Sequence, residues 1–339
     1  MTRTTMMSAH NRQILLVRAP TGALTPECFE LVRAALPEPK DGEVLLKTRY
    51  VSIDAASRAM MRGPTYRDAI GTGTVMVGRA IGEVIESRHP DFQTGDVAYG
   101  ELGWQEYAAL PAQALTKQPA LNPLSHLLSV YGVSGFTGYF GVLEAGQAKP
   151  GETILISAAA GSVGVFAGQV ARIAGCRAVG IAGSDEKCRW LTEELGYDAA
   201  VNYKSGPLAD SLRAACPSGV DVYFDNVGGA TLEAALSLMN LQGRIACCGV
   251  MSAYDDAQPA QGLRGVPFQL VVKQLTMRGF RVGEFAARHP EALVRMRTWV
   301  DAGQLKVVED IVDGFENLPA ALIGLLHGEN RGKRMVRIN

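Results

Sequence analysis

The chain lacks an excess of charge of either sign: 33 Lys and Arg stand against 34 Asp and Glu, a formal net charge of −1. A near-neutral surface has no general attraction for nucleic acid or anionic lipid, so no nucleic-acid partner is expected. No run approaches the ~18 uninterrupted apolar residues of a membrane span, so no membrane partner is expected either. The six cysteines (Cys28, Cys176, Cys188, Cys216, Cys247, Cys248) form no C-x-x-C pair, and Cys247 and Cys248 are too close to bridge easily. That excludes a disulfide framework and points to a reducing compartment. The polar start, Met1 to Gln13, has no apolar core of a signal peptide. It reads as a frayed tail, and a cytoplasmic location is expected. The five histidines (His10, His89, His126, His289, His327) fall in no H-E-x-x-H or other ligand spacing, so no metal is expected. A G-x-S-x-G elbow and a recognisable Ser/His/Asp set are also missing. A cofactor-dependent reaction needs few protein groups, because the cofactor supplies the reactive atom.

What is present suits a folded chain of about two domains. Hydrophobic residues make up 47% of 339, and 38 positions are glycine, well above the usual ~7%. Short β-rich runs fill the first third: Gln13–Arg18, Phe29–Arg33, Val44–Ile53, Val75–Glu86, Asp96–Tyr99 and Trp104–Leu110. Turns at Pro20–Gly22, Asp41–Gly42 and Thr94–Asp96 separate them, and the pattern predicts an irregular, partly open antiparallel β-barrel. Near residue 130 the pattern changes. Strand-like runs at Gly151–Ser157, Arg177–Ile181, Ala199–Asn202, Val220–Asp225 and Gly243–Gly249 alternate with helical spacing at Ser162–Ile173 and Glu186–Leu195. That alternation predicts a doubly wound parallel sheet. Strand-like Val307–Val312 and Arg334–Ile338 are expected to rejoin the first domain. The fold class is α/β, with a barrel domain over 12–130 and 306–339 and a nucleotide-binding domain over 131–305.

The strongest local signal is Ile154–Gly164, in which Ala159, Gly161 and Gly164 follow G-x-G-x-x-G spacing with alanine in the first place. It lies between a predicted strand and a predicted helix, the context that gives the motif meaning. Gly161 lets the backbone approach a pyrophosphate, Gly164 permits close helix–strand packing, and N–H groups at Ala160, Ser162 and Val163 face the phosphates. A tight βα turn with no ligand is the plainer alternative. About 20 residues on, where an acidic residue binds an NAD ribose, the strand tip carries Gly183 and Ser184 instead. That leaves room for a 2′-phosphate with Lys187 as counter-charge. Ser184 also suits a helix N-cap, and Asp185 is near enough to keep NAD open.

These segments, with Leu102–Tyr107, Gly135–Tyr139, Asn202–Lys204, Phe224–Gly229 and Gly328–Lys333 in order, resemble the zinc-independent medium-chain dehydrogenase/reductases. The likeness spans roughly residues 12–339 and is strongest to the branch of prostaglandin reductases, plant alkenal double-bond reductases and bacterial curcumin-type reductases. The resemblance implies a GroES-like barrel, a Rossmann domain and a homodimer. It implies reduction of the C=C bond of α,β-unsaturated ketones and aldehydes by NADPH. Zinc-dependent relatives carry a G-H-E motif; the comparable Val77–Gly82 has neither His nor Cys. The resemblance places Lys187 and Tyr203 at the 2′-phosphate, Asn226 and Asn330 near the nicotinamide and its ribose, and Gly249 in a cofactor loop. It also brings in Thr137, Phe280 and Val282. From the residues alone, Tyr203 is equally a strand-end aromatic, Asn226 a turn residue, Asn330 a loop former, Thr137 a cap at a helix start, and Phe280 and Val282 part of a buried strand.

Negative charge develops on the enone carbonyl oxygen as hydride reaches the β-carbon, so a preorganised donor there is valuable. Tyr66, in Gly63–Arg67, matches a family tyrosine that overhangs the substrate and is the candidate catalytic donor. The family's D-P-Y-M-R segment is here Asp54–Arg58 with Ala56 in place of tyrosine, which favours a bulky or apolar enone. Quinone reduction and NADPH binding without catalysis are the rival functions. Tyr66→Phe is expected to lower kcat on an enone by about 10²-fold; steady-state kinetics that show full kcat would remove this role.

Overall fold

The structure, a computed structural model, describes residues 10–65, 67–119, 121–254 and 265–338. Of the polar tail read over residues 1–13, residues 1–9 lie outside them; residues 10–13 are not frayed but begin a strand, where Asn11 is 1% exposed and exchanges hydrogen bonds with the Tyr107 backbone. The chain divides into two units: Met1–Leu127 with Ile311–His327 and Arg334–Asn339, and Leu128–Asp310 with Gly328–Lys333.

The first unit is antiparallel. Its strands in chain order are β1 (His10–Leu16), β2 (Phe29–Ala35), β3 (Glu43–Ser52), β4 (Thr74–Val75), β5 (Ala80–Ser87), β6 (Val97–Gly100), β7 (Tyr107–Pro111) and β8 (Thr116–Gln118). β1 lies between β2 and β4, while β3 pairs with both β5 and β7. One strand was expected over 75–86, but two form. The Met76 N–H donates to Ile14 O and its carbonyl accepts from Trp104 N, so the chain crosses between the two sheets at that point. Gly78 makes room there, since a Cβ on it would fall 2.7 Å from the Trp104 side chain. The core gathers Ile14, Leu16, Val44, Leu46, Trp104 and Phe315, all 2% exposed or less.

The second unit holds β9 (Thr153–Ile156), β10 (Arg177–Ala182), β11 (Ala199–Asn202), β12 (Val220–Asp225), β13 (Met239–Cys247) and β14 (Thr276–Gly279). They form one sheet in the order β11-β10-β9-β12-β13-β14, every pairing parallel. Successive residues of a strand face opposite sides, and the sequence follows that rule. Ile154, Ile156 and Phe224 enter one apolar layer with Phe166 and Val170; Leu155 and Tyr223 enter the other with Leu212 and Leu236. Both faces are thus covered, as parallel sheets require. Strand order runs one way from β9 to β11 and the other from β12 to β14, which leaves a crevice beyond the carboxyl ends of β9 and β12.

Two closing strands complete the chain, β15 (Glu309–Asp313) and β16 (Lys333–Arg337). β16 pairs antiparallel with β3, Met335 opposite Ser52, so the expected return to the first sheet is found. Gly328–Lys333, however, groups with the second unit, unlike the sequence-based boundary that kept 306–339 together. The cause is local bonding: Gly332 N donates to Ala160 O at 2.9 Å and Lys187 Nζ to Asn330 O at 2.7 Å. No helix among the described residues is long and apolar enough to cross a membrane.

The helix Gly164–Ile173 is braced by Tyr197, whose fully buried hydroxyl donates to Gly164 O at 2.7 Å. Gly168 admits the ring, because a Cβ there would sit 1.9 Å from Tyr197 Cζ. Tyr197→Phe is expected to cost about 1 kcal/mol and lower Tm by roughly 2–4 °C. Thermal unfolding with no change would show that the bond carries no net stability.

Candidate functional site

The turn from β9 into the Gly164–Ile173 helix is closely packed backbone. Ala158 has φ 47°, in the left-handed region that costs an L-residue roughly 1–2 kcal/mol. The left-handed position is therefore one residue earlier than the place of the motif's first glycine. Ala159 is instead fully buried, with its N–H on Ile181 O at 2.9 Å. The Gly161 N–H closes onto Ala158 O at 2.9 Å. A Cβ on Gly161 would lie 3.1 Å from that oxygen, and one on Gly164 only 2.4 Å from it. With those positions bare, the helix start sits close to the strand end. The N–H groups of Ser162, Val163 and Gly164 find no acceptor among the described residues. Converging donors at a helix N-terminus suit a phosphate, and the missing side chains leave it space.

Asp225, the last residue of β12, organises the crevice and was missed as a site residue. It is 2% exposed. Its Oδ1 accepts from Tyr223 Oη at 2.9 Å, Val227 N at 3.0 Å, Gly228 N at 2.8 Å and Ser157 Oγ at 3.3 Å. Ser157 Oγ accepts from Asn226 N at 2.9 Å, and Asn226 Nδ2 donates to Ser157 O at 2.7 Å. The ends of β9 and β12 are thereby sewn together, and Asn226 is held at the switch point in one orientation. An Asp closing the run Val220–Phe224, apolar but for Asp221, was the available signal. Gly249 follows β13 with its N–H on Asp225 O at 3.1 Å, and a Cβ on it would lie 3.0 Å from Asn226 O. Burial, with the Asp225 charge second, pushes the neighbouring Cys247 thiol to about 11 and Cys248 to about 12. Both stay protonated and poorly nucleophilic at neutral pH.

At the tip of β10, Ser184 caps the Asp185–Glu193 helix by accepting from Lys187 N at 3.2 Å. Gly183 faces Tyr203, whose ring is 48% exposed and would lie 3.3 Å from a Cβ at 183. Asp185, the residue that kept NAD open, is occupied: its Oδ1 accepts from Asn202 Nδ2 at 2.8 Å and Ser205 Oγ at 3.3 Å. The Lys187 ammonium donates to the carbonyls of Gly328 at 2.5 Å and Asn330 at 2.7 Å. Asn330 is 6% exposed, with Nδ2 on Gly332 O at 2.8 Å.

Phe280 lies just past β14, 7% exposed and edge-on to Phe224 at 5.9 Å. Val282 opens the Val282–Arg288 turn, so neither belongs to a buried strand. Thr137 is a correction. It sits inside the helix Val133–Phe140, not at its cap, and its hydroxyl donates to Val133 O at 2.6 Å. Its neighbour Tyr139 is core, its hydroxyl accepting from Arg295 Nη1 at 2.8 Å. Tyr66 lies outside the described residues. Among the described residues no group of three or more His, Cys, Asp or Glu could hold a metal ion.

A six-stranded parallel sheet in this order, with a glycine turn at its switch point, defines a Rossmann dinucleotide-binding unit. Two family models match the chain, "N-terminal domain of oxidoreductase" over residues 12–118 and "Zinc-binding dehydrogenase" over 162–298. The NADPH-dependent curcumin reductase of Escherichia coli (strain K12) is 40% identical over 335 residues, 97% of both chains. The NADP(+)-dependent 2-alkenal reductase of Nicotiana tabacum is 37% identical over 97% of this chain and 98% of its own. The crystal structure of CurA from Vibrio vulnificus in complex with NADPH superposes with a TM-score of 0.92 at 37% identity, over 97% of this chain and 99% of that one. The chain belongs to the zinc-independent medium-chain dehydrogenase/reductases, in the branch that holds the prostaglandin, alkenal and curcumin reductases.

Asp225→Ala would strand the buried Tyr223 hydroxyl and Gly228 N–H and the half-buried Val227 N–H, buried groups costing about 1–3 kcal/mol each when unpaired. The expected loss is several kcal/mol, about 10 °C or more in Tm. A calorimetric Tm within 2 °C or so of wild type would show that the network does not organise the crevice.

Proposed function

We propose that this protein is an NADPH-dependent reductase of the C=C bond of α,β-unsaturated ketones and aldehydes. The observation that carries the reading is the bare glycine turn at the switch point, its helix-start N–H groups directed at the space a pyrophosphate would fill. The substrate class is supported by the curcumin and 2-alkenal reductases, which match over nearly their whole length. Bound NADPH supplies a hydride to the β-carbon.

The protein's own part is binding and orientation. Ala160, Gly161, Ser162, Val163 and Gly164 hold the pyrophosphate; Gly183, Ser184, Lys187 and Tyr203 form the 2′-phosphate corner. NADP selectivity follows from electrostatics there, since Lys187 brings a cation and Asp185 is already bonded to Asn202 and Ser205. Asn226, fixed by Ser157, and Asn330 orient the nicotinamide and its ribose, with Gly249, Phe280 and Val282 lining the same end. Thr137 has the least support, because its hydroxyl proton is committed to Val133. Tyr66 is assigned the donor role at the carbonyl oxygen on sequence alone.

We further infer a cytoplasmic homodimer. Six free cysteines suit a reducing compartment. β14 is the edge of its sheet and every residue in it is exposed. Beside it in sequence, Phe268, Val271 and Val272 are 66%, 76% and 55% exposed. An open edge next to exposed apolar side chains is a pairing surface, and a second β14 is a self-complementary occupant. Light scattering is expected to give a dimer that Val271→Glu converts to monomer; a wild-type monomer contradicts the assignment.

The function is tested by NADPH oxidation across enones, enals and quinones. Consumption with formation of the saturated ketone or aldehyde is expected. Turnover of quinones alone, or tight NADPH binding with no turnover, would overturn the reading.

A further inference from the structure

We propose that Lys187 is a positioning residue for Asn330: the group assigned to the adenosine 2′-phosphate also holds the segment that carries a side chain of the nicotinamide end. The proposal rests on the coenzyme reading above.

The segment Gly328–Lys333 leaves the first unit after His327 and returns to it at Arg334. Attachments on both sides of Asn330 set its course. At one end Gly332 N donates to Ala160 O, inside the glycine turn, at 2.9 Å, and Lys333 N to Val308 O at 3.1 Å. At the other, one ammonium grips two carbonyls two residues apart, Gly328 O at 2.5 Å and Asn330 O at 2.7 Å. Gripping both at once fixes the curl of the chain between them. That curl turns Asn330 inward, where it is 6% exposed and bonded to Gly332 O. Gly328 and Gly332 supply the bends, with φ of 72° and 74°.

The Arg331 side chain is a weaker anchor. Arg331 pairs with Glu186 and lies 5.6 Å over the Trp190 ring, but the two charged side chains are 39% and 71% exposed. Solvent screens such a pair. Bonds from an ammonium to carbonyls are charge-assisted, and Lys187 is itself fixed through its own N–H on Ser184 Oγ at 3.2 Å. On the Gly328–Asn330 side of the segment, the Lys187 ammonium is therefore the group on which the placement of Asn330 turns.

NADH separates this role from simple phosphate recognition, because it has no 2′-phosphate. A lysine that only read the phosphate would leave NADH-driven turnover untouched when removed. A lysine that positions Asn330 affects it. The test compares wild type with Lys187→Ala, Lys187→Met and Lys187→Arg, using kcat and KM for both coenzymes on one enone. Amide hydrogen exchange over residues 328–333 is measured without coenzyme. For the alanine and methionine variants, kcat with NADH is expected to fall about 10-fold. Their exchange over Asn330–Lys333 should accelerate by about 10-fold or more. Lys187→Arg, which can still donate to two carbonyls, is expected to retain slow exchange and most of the NADH kcat.

Unchanged NADH kcat and unchanged exchange, with only the NADPH KM raised, would overturn the proposal. Should no coenzyme be oxidised at all, the coenzyme reading fails, and the exchange comparison alone decides the clamp. The methionine variant keeps the aliphatic stem, so the question stays decidable if the alanine variant does not fold. Arg331→Ala is the control and is expected to leave both readouts near wild type.

Discussion

A missing methyl group at residue 164 governs the nucleotide-binding unit. A Cβ there would press to 2.4 Å from Ala158 O and 2.6 Å from Ala159 Cα, inside any permitted contact. Only with that position bare can the helix begin against the end of β9. Its first N–H groups are then presented to the crevice instead of being consumed by the chain. The strain at Ala158 belongs to the same bargain in geometry: a left-handed residue reverses the chain sharply enough for Gly161 to close back on Ala158 O. Tyr197, from across the helix, then fixes Gly164 from its carbonyl side.

A second constraint binds the two halves of the parallel sheet at their meeting point. β9 and β12 are remote in sequence, yet Ser157 and Asp225–Asn226 join them through buried hydrogen bonds whose donors and acceptors are matched. Buried polar networks that are fully satisfied rigidify a site. Here that rigidity gives Asn226 one orientation. It also surrounds Cys247 and Cys248 with an environment that keeps them as thiols. For a protein proposed to handle electrophilic enones, unreactive thiols beside the coenzyme crevice are a chemical advantage.

Much of this was readable in the chain before any coordinates. The strands Ala199–Asn202 and Val220–Asp225 have the bounds that hydrophobic runs and turn residues predicted; the central Val220–Asp225, buried on both faces, leaves a plain apolar signal, and the half-buried edge strand Ala199–Asn202 is marked by the Ser205–Gly206 turn residues that follow it. Spacing within a predicted strand–turn–helix singled out Gly161 and Gly164, and both lie where a Cβ would crowd Ala158 O. What escaped the sequence was long-range. The carbonyls that Lys187 holds are 141 and 143 residues away, and no local pattern encodes them. The direction of Asp185 is set by Asn202 and Ser205 across a parallel pairing. The left-handed turn fell on Ala158, since backbone shape follows the packing of Ala159 against β10 rather than the motif's consensus. Thr137 was misplaced because the helix starts earlier, at Val133.

The most direct test is a coenzyme titration of wild type beside Gly161→Ala, with NADPH binding and thermal stability measured on the same samples. The added Cβ meets Ala158 O at 3.1 Å, tight but able to relax, and it intrudes on the proposed phosphate space. The account predicts NADPH affinity at least about 10-fold weaker, the effect of some 1.4 kcal/mol, with Tm little changed. Equal affinity for the two proteins would contradict it.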